Sequence, residues 1–425
     1  MSRCRFPAAV TVVVLSVLAG GLAVAALPPV PVPAANPVTE PKRVLGKILF
    51  WDEQLSSDNT LACGSCHQPR YGGSAPRAGI NPGPDGQFGT RDDLHGTFGI
   101  AFHDAAGRVV RDKLFGTKPQ VGVRTAPSFF GGLWGDTAFW DGRAGPAFRD
   151  PVSGRMLIPA GAALENQALG PIMNPVEMAQ ASRAWGEVTA RLARATPLAL
   201  ARDLPSDAAT AISAQPGYPA LFTAAFGDAA ITPGRIAMAL ATYERTLVAD
   251  QTPYDVAMAK GGDYGLKADM AWFEGQKCTV CHVPPLFTNH AFANIGVRQG
   301  FDDKGRAVVT GDPRQTGAMK VPSLRNVALR PRFMHTGDFT TLDQVLDLYA
   351  TPPAPADTLP DGSEYKLRMD EPARRAIKDL LQNWLTDPRV EAETYPFDRP
   401  RLRGERHVDD KTPPAQPPLF RADAA

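Results

Sequence analysis

Two copies of the pattern Cys-x-x-Cys-His constrain this chain more than any other feature of its sequence. The first copy reads CGSCH at residues 63–67, and the second reads CTVCH at residues 278–282. Disulfide bonds would use the cysteines but leave both histidines unexplained, and a zinc ribbon needs its cysteine pairs close together in sequence. Covalent c-type haem uses every residue, because two thiols add to the vinyl groups and the histidine becomes the proximal iron ligand.

The sequence therefore predicts two covalently bound c-type haems. Each is attached through one cysteine pair, and the histidine that follows the pair binds the iron. The predicted attachment residues are Cys63, Cys66, Cys278 and Cys281, and the predicted iron ligands are His67 and His282.

The first residues have the pattern of a signal peptide. Arg3 and Arg5 precede an apolar run, and the small residues at 23–25 are typical of a cleavage site. A membrane anchor is the alternative, because the run is close to the length that spans a bilayer. We expect residues 1–26 to be removed, which also deletes Cys4. The mature chain should then be periplasmic, should not span the membrane, and should begin with a Pro-rich linker at residues 27–41.

A second repeat follows the two motifs. When Pro127 is set against Pro322, Ser128 falls on Ser323, Trp140 on His335 and Gly142 on Gly337, without a gap. An ungapped match of this kind indicates a duplicated domain. The two copies differ where one presents a tryptophan and the other a histidine.

Helical patterns dominate the rest of the chain. Thr232 and Pro233 are typical of a helix start, and apolar residues of the segment 232–250 then fall on one face. Thr341 and Gln344 have the spacing of a capping box at the start of a second amphipathic helix. We predict a mainly α fold with two tandem cytochrome c-like haem domains and long loops. The predicted domains are 42–262 and 263–390, followed by a C-terminal tail at 391–425.

With these features, the sequence resembles the bacterial dihaem cytochrome c peroxidases and their relatives of the methylamine-utilisation MauG type. The resemblance covers roughly residues 42–390. It rests, in order, on GKILFWDEQLSSDNTLACGSCH, RTAPSFF, FWDGRAG, QALGPIMNPVEM, ATYERTL, KVPSLRN and TLDQVLDLY. The resemblance implies a peroxide-reacting haem in the N-terminal half and an electron-transferring haem in the C-terminal half.

The resemblance also implies residues for the site over the first haem. Gln167 and Glu177 match the family's distal polar pair, and Trp140 matches the tryptophan between the haems that carries oxidising equivalents. Peroxide cleavage needs a group that takes a proton from one oxygen and returns it to the other, which suits a carboxylate. The alternatives are a solvated or helix-capping Glu177 and a Trp140 that is only a core aromatic. The segment 149–166 is longer than expected for the family and could reshape this site.

Tyr349 distinguishes the second haem. Family peroxidases usually have Met at this position as the distal ligand, whereas the MauG-type relatives have Tyr, as this sequence does. A phenolate is a hard anionic donor that lowers the reduction potential of the iron. The alternative is a buried core tyrosine, with Met319 or Met334 as the ligand, or an iron with five ligands.

Calcium is a further expectation. Thr125 stands where relatives have an Asn that helps to bind an inter-haem calcium ion, and the backbone carbonyls of Arg330 and Arg332 would complete that site. The acidic loop at 81–93 is a second place where calcium could bind, and a solvated loop is its alternative. His95 and His103 could cap the first iron or could lie on the surface.

Two classes of function remain. The first is an exported enzyme that uses hydrogen peroxide and takes electrons from a small redox protein or from a protein substrate. The alternative is a non-catalytic dihaem electron carrier. The distal pair favours the enzyme, and Tyr349 favours MauG-like oxidation of a protein. The 45 basic and 44 acidic residues nearly cancel, so no nucleic-acid partner is indicated.

Overall fold

The computed structural model describes residues 26–298, 303–353, 356–357 and 367–407. Residues 1–25 of the predicted signal peptide and residues 408–425 of the predicted tail lie outside these ranges. None of the helices in the described residues is long and apolar enough to cross a membrane.

The described chain is rich in helix and contains little sheet. In the N-terminal half the helices are α1 (Glu40–Trp51), α2 (Cys63–Cys66), α3 (Ala163–Met173), α4 (Trp185–Leu192), α5 (Ser206–Ala214), α6 (Tyr218–Phe226) and α7 (Pro233–Glu244). In the C-terminal half they are α8 (Pro253–Ala259), α9 (Tyr264–Gly275), α10 (Ala307–Thr310), α11 (Leu342–Ala350), α12 (Glu371–Asp379) and α13 (Pro388–Glu391). A π-helical turn, Leu380–Trp384, extends α12.

The strands form three short antiparallel pairs. They are β1 (Phe98–Ala101) with β2 (Pro119–Val121), β3 (Phe148–Arg149) with β4 (Met156–Ile158), and β5 (Phe292–Ala293) with β6 (Met319–Lys320). The pair β3–β4 lies almost wholly within the long segment at 149–166, which is therefore folded as a hairpin that leads into α3.

Both helix starts are confirmed. The Thr232 hydroxyl accepts a hydrogen bond from the Arg235 amide at the start of α7, with Pro233 in the first turn. The Thr341 hydroxyl and the Gln344 side chain cap α11 reciprocally. Helix α7 ends at Glu244, earlier than predicted, because the chain continues in tighter turns.

Two main hydrophobic cores hold the described residues together. The first core is built around α1 and α7, which pack against each other, and also includes residues of α3 to α6. The second core is built from α8, α9, α11, α12 and the π-helical turn. Residues beyond α12 return to the N-terminal half, because Val390, Phe397 and Leu402 are buried in the first core. The described part of the predicted tail thus packs against the N-terminal half.

The repeat seen in the sequence also exists in the backbone. Short 3-10 turns, Gly132–Trp134 and Val327–Leu329, occupy matched positions. Paired backbone bridges follow at matched positions in each copy, between residues 138 and 144 and between residues 333 and 339. Gly142 and Gly337 both have a positive φ, of 69° and 70°. The two segments are therefore structural copies, which supports a duplication of the surrounding unit.

Candidate functional site

The first CxxCH motif is held by α2 and the loop after it. Cys63 and Cys66 are the first and last residues of α2, and His67 follows directly. The Nδ1 atom of His67 lies 3.1 Å from the carbonyl oxygen of Gly73. Since a carbonyl only accepts, Nδ1 carries the hydrogen, and Nε2 keeps a lone pair for a metal. Burial lowers the pKa of His67, so the ring is neutral, as an iron ligand requires.

The second motif repeats this arrangement. The Nδ1 atom of His282 lies 3.1 Å from the carbonyl oxygen of Phe287, and burial lowers the pKa of His282 to about 4. The backbone carbonyls of Pro127 and Pro322 also lie close enough to His67 and His282, respectively, to raise the pKa of each ring, and burial outweighs this effect. These two prolines are the pair that starts the internal repeat, so the duplication includes the support of each histidine.

The cysteines beside these histidines are thiols. None of the four described cysteines forms a disulfide bond, and all are partly buried. Cys63, Cys66 and His67 line a cavity of about 740 Å³, which we call the His67 cavity. Cys278, Cys281 and His282 line a second, narrower cavity of about 180 Å³, which we call the His282 cavity. Two thiols and one imidazole nitrogen at each cavity are the donor set that c-type haem requires.

The predicted distal pair lies on the His67 cavity. Gln167 on α3 and Glu177 after it both line the cavity. The Asn174 side-chain amide donates to Oε1 of Glu177 at 3.0 Å. Burial raises the pKa of Glu177, and the positive charge of Arg143 opposes that rise. The carboxyl group is thus poised to exchange a proton at a higher pH than an exposed glutamate.

Trp140 lines both cavities. Its side chain is 6% exposed, and its indole N–H donates to the Thr125 carbonyl at 2.8 Å. The His335 ring meets it edge to face, with ring centroids 6.2 Å apart. The hydrogen bond and the packing fix the indole in one orientation between the two cavities.

Tyr349 lines the His282 cavity. It lies on α11, about one turn after the buried Leu346 and about two turns after the buried Leu342. Burial raises the pKa of its phenol, and the nearby thiols of Cys278 and Cys281 raise it further. Met319 and Met334 line the same cavity, so all three side chains considered as iron ligands lie there.

Two of the three predicted calcium residues, Thr125 and Arg330, contact Trp140. The Thr125 hydroxyl donates to the Met334 carbonyl at 2.9 Å, and the Arg332 guanidinium donates to the Gly337 carbonyl at 2.7 Å. The Arg330 side chain is buried and lines the His282 cavity.

The other residues considered as ligands lie elsewhere. His95 contacts Asp338 at 3.1 Å, and His103 contacts the Ala101 carbonyl at 2.6 Å. Neither histidine lines the His67 cavity. In the acidic loop, Asp85 and Asp93 accept hydrogen bonds from amides of the loop itself. The described residues contain no group of three histidine, cysteine or acidic side chains placed to hold a metal ion.

Sequence reasoning missed Glu244. This residue ends α7, is 8% exposed and lines the His67 cavity. Burial raises its pKa to about 8, so its carboxyl group is largely neutral at pH 7. The signal was present in ATYERTL, where an acidic residue directly follows Tyr243 on a helix whose apolar face is buried.

Comparisons with known proteins give a consistent set of relatives. A family profile described as di-haem cytochrome c peroxidase matches residues 40–263. The methylamine utilization protein MauG of Methylorubrum extorquens is 30% identical over 367 residues, which are 84% of this chain and 82% of that protein. The cytochrome c551 peroxidase of Nitrosomonas europaea is 27% identical over 75% of each chain.

Two solved structures share the fold. A MauG-like protein associated with microbial copper homeostasis has a TM-score of 0.58 and 22% identity, covering 88% of this chain and 96% of its own. The diheme peroxidase BthA of Burkholderia thailandensis has a TM-score of 0.55 and 18% identity, covering 87% of this chain and 91% of its own.

Proposed function

Because this chain belongs to the di-haem cytochrome c peroxidase family and is a peroxidase-like oxidoreductase, we propose that it uses hydrogen peroxide in the His67 cavity. Oxidising equivalents then pass by way of Trp140 to the His282 cavity. The family implies two c-type haems, and haem iron supplies the redox chemistry at each site when bound. His67 and His282 would hold the two irons, and the four thiols would hold the porphyrin edges.

The position of Glu177 on the His67 cavity is the main observation in support of this proposal. Cleavage of the peroxide bond needs a proton moved from one oxygen to the other. The Glu177 carboxyl group lines the cavity, accepts a hydrogen bond from Asn174 and has a raised pKa. A carboxyl group in this position can take a proton from one peroxide oxygen and return it to the other. Gln167 lines the same cavity, and its amide can both donate to and accept from the substrate.

Trp140 supports a path between the cavities. The indole contacts both, and its N–H is already satisfied by the Thr125 carbonyl. A tryptophan held in one orientation between two redox sites needs little rearrangement when its charge changes. Trp140 therefore has a role beyond packing in this proposal.

Tyr349 is our choice of distal ligand for the second iron. Helix α11 holds it on the His282 cavity beside both cysteines of that motif. An anionic oxygen ligand favours the oxidised iron, so the second site would hold oxidising equivalents. That property favours MauG-like oxidation of a protein substrate over peroxidase activity with a small redox protein as donor. A periplasmic location after removal of residues 1–26 belongs to the same proposal.

A non-catalytic electron carrier is the weaker candidate. A carrier has no need of polar groups over an iron, whereas Glu177 and Gln167 both line the His67 cavity. Holding the partly buried carboxyl group of Glu177 away from water costs free energy, and proton transfer gives a reason to keep it there.

The test uses the haem-loaded protein. Its intact mass should exceed that of the mature chain by two haem masses, and a single addition would contradict the two-site assignment. Glu177→Gln should then slow peroxide consumption by about 10² to 10⁴-fold with two haems retained. Glu187→Gln makes the same chemical change at an exposed position on α4 and should leave the rate unchanged. Equal peroxide kinetics in Glu177→Gln and the wild type would refute the role of Glu177.

A further inference from the structure

Arg330 is a buried arginine whose charge has no carboxylate partner among the described residues. Its side chain is 7% exposed in total, and its Nε and Nη2 atoms are buried without a hydrogen-bond partner among the described residues. Other buried arginines nearby are satisfied. Arg325 donates to the Asp255 carboxylate at 2.7 Å and 2.8 Å, and Arg124 pairs with Asp141 and Asp303.

The position of Arg330 relates it to both candidate haem sites. Its guanidinium carbon lies 5.9 Å from the centre of the Trp140 ring, and its side chain lines the His282 cavity. Its charge is also close enough to His67 to lower the pKa of that ring. Gly72, in the loop after the first motif, makes room for it, because a Cβ there would lie 2.8 Å from the Arg330 Cγ.

The charge of Arg330 persists in this environment. Burial lowers its pKa to about 10, so the side chain is still a cation at pH 7. No carboxylate is among the groups that perturb that pKa. An unpaired buried guanidinium costs several kcal/mol. The anion that compensates it must therefore come from outside the described residues.

Each haem carries two propionate carboxylates. The proposed function assigns one haem to each cavity, so these carboxylates are the anions expected there. Guanidinium groups bind carboxylates through two parallel N–H donors, and the orphaned Nε and Nη2 atoms of Arg330 are one such pair of adjacent donors.

The oxygen atoms nearby suit a calcium ion poorly. Calcium takes six to eight oxygen ligands, usually including carboxylates. The Thr125 hydroxyl is engaged with the Met334 carbonyl, and no cluster of three acidic, histidine or cysteine side chains exists in the part of the chain that the structure describes. The cation of Arg330 would also repel a second cation placed beside it.

We propose that Arg330 binds haem propionate between the two haem sites and that this cation of the protein replaces an inter-haem calcium ion. The proposal rests on the two-haem assignment of the proposed function. It assigns to Arg330 a positioning role, in which the guanidinium fixes the cofactor carboxylates next to Trp140 and sets the local positive charge.

The first experiment measures metal content in the wild-type holoprotein. After gel filtration in calcium-free buffer without chelator, mass spectrometry for metals should find two irons per chain and no stoichiometric calcium. Added calcium or chelator should leave the absorption spectra of both haems unchanged. One calcium per chain would overturn the proposal. Fewer than two irons would instead contradict the proposed function, so the two failures are distinguishable.

The second experiment measures the reduction equilibria of the haems in Arg330→Gln. Loss of a buried positive charge beside a haem disfavours its reduction, so the equilibrium constant for reduction should fall about tenfold at one or both haems. Arg330→Lys keeps the charge and should lie closer to the wild type. Arg306→Gln is the matched control, because Arg306 donates to the carbonyls of Asp141 and Gly142 but lines neither cavity.

Unchanged reduction equilibria in Arg330→Gln would overturn the proposal. If Arg330→Gln takes up fewer haems while Arg330→Lys takes up two, the requirement for a cation is supported. If both variants fail to load while Arg306→Gln loads, the calcium content of the wild type decides the question.

Discussion

Gly64, between the two cysteines of the first motif, allows a test of how the protein positions the turn of the first proposed haem site. A Cβ at this position would lie 2.7 Å from the Trp51 Cδ2 atom and closer still to two other ring carbons. Normal contact between carbon atoms is about 3.5–4.0 Å. Gly64→Ala therefore forces the indole or the turn of α2 to move by about 1 Å or more.

The indole cannot move easily. Trp51 is 1% exposed, donates its N–H to the Tyr243 hydroxyl at 3.1 Å and lies under the guanidinium of Arg399 at 5.3 Å. Overpacking of such a site costs about 1–3 kcal/mol, and the gain in helix propensity from glycine to alanine offsets at most about 1 kcal/mol. A net loss of about 1–2 kcal/mol lowers the melting temperature of a domain of this size by about 2–8 °C.

The displaced turn should also lower haem loading at the first motif alone. Thermal unfolding followed by circular dichroism measures the stability, and peptide mass mapping of the purified protein measures haem at each motif. Thr279→Ala, at the equivalent position of the second motif, is the control and should change neither quantity. A Gly64→Ala protein with full haem loading and a wild-type melting temperature would refute the packing argument.

Three further predictions concern other parts of the site and its support. Tyr349→Met should raise the reduction potential of the second haem by tens to hundreds of millivolts, as measured by spectroelectrochemistry; an unchanged potential would mean that the phenol is not a ligand. Because burial raises the pKa of Glu177, and only the ionised group accepts a proton, kcat/KM for peroxide should rise with pH through a value above about 4.3, the pKa of an exposed glutamate. This rise of kcat/KM with pH should be absent in Glu177→Gln. If the rise persists in that variant, another residue is the base. Arg245→Met should lower the free energy of unfolding by about 3–5 kcal/mol in chemical denaturation. The reason is that Glu165, which is 0% exposed and paired with Arg245 at 2.7 Å, loses its counter-charge. The control Arg314→Met removes an exposed ion pair and should cost less than about 1 kcal/mol.

Local sequence patterns predicted the parts of the structure that depend on neighbouring residues. The caps at Thr232 and Thr341 act within one turn of their helices. The ungapped repeat correctly paired Gly142 with Gly337, because a tight turn imposes the same backbone conformation in both copies.

Features that depend on distant residues could not be read in this way. Arg245 pairs with Glu165 from the far end of the long segment at 149–166, and nothing in either local sequence indicates the pair. In the sequence, Glu244 looks like an ordinary helix residue. Its burial and its place on the His67 cavity depend on segments that are distant in sequence. From the sequence, Arg330 was expected to contribute only its backbone carbonyl group. Only the three-dimensional structure shows that its Nε and Nη2 atoms are buried without a hydrogen-bond partner among the described residues.

The C-terminal segment packs into the first core, and this determines the order in which parts of that core can form. Phe397 packs against Phe130 with ring centroids 5.7 Å apart, and Glu405 accepts a hydrogen bond from Gln68, next to the first haem motif, at 2.6 Å. A chain that folds in order from its N-terminus lacks these contacts until residues 397–405 are available, well after the second CxxCH motif at residues 278–282. One side of the first core therefore stays open while the second CxxCH motif emerges. If the two motifs bind haem as proposed, both cysteine pairs are available before the last segment docks, and that docking then closes the first core.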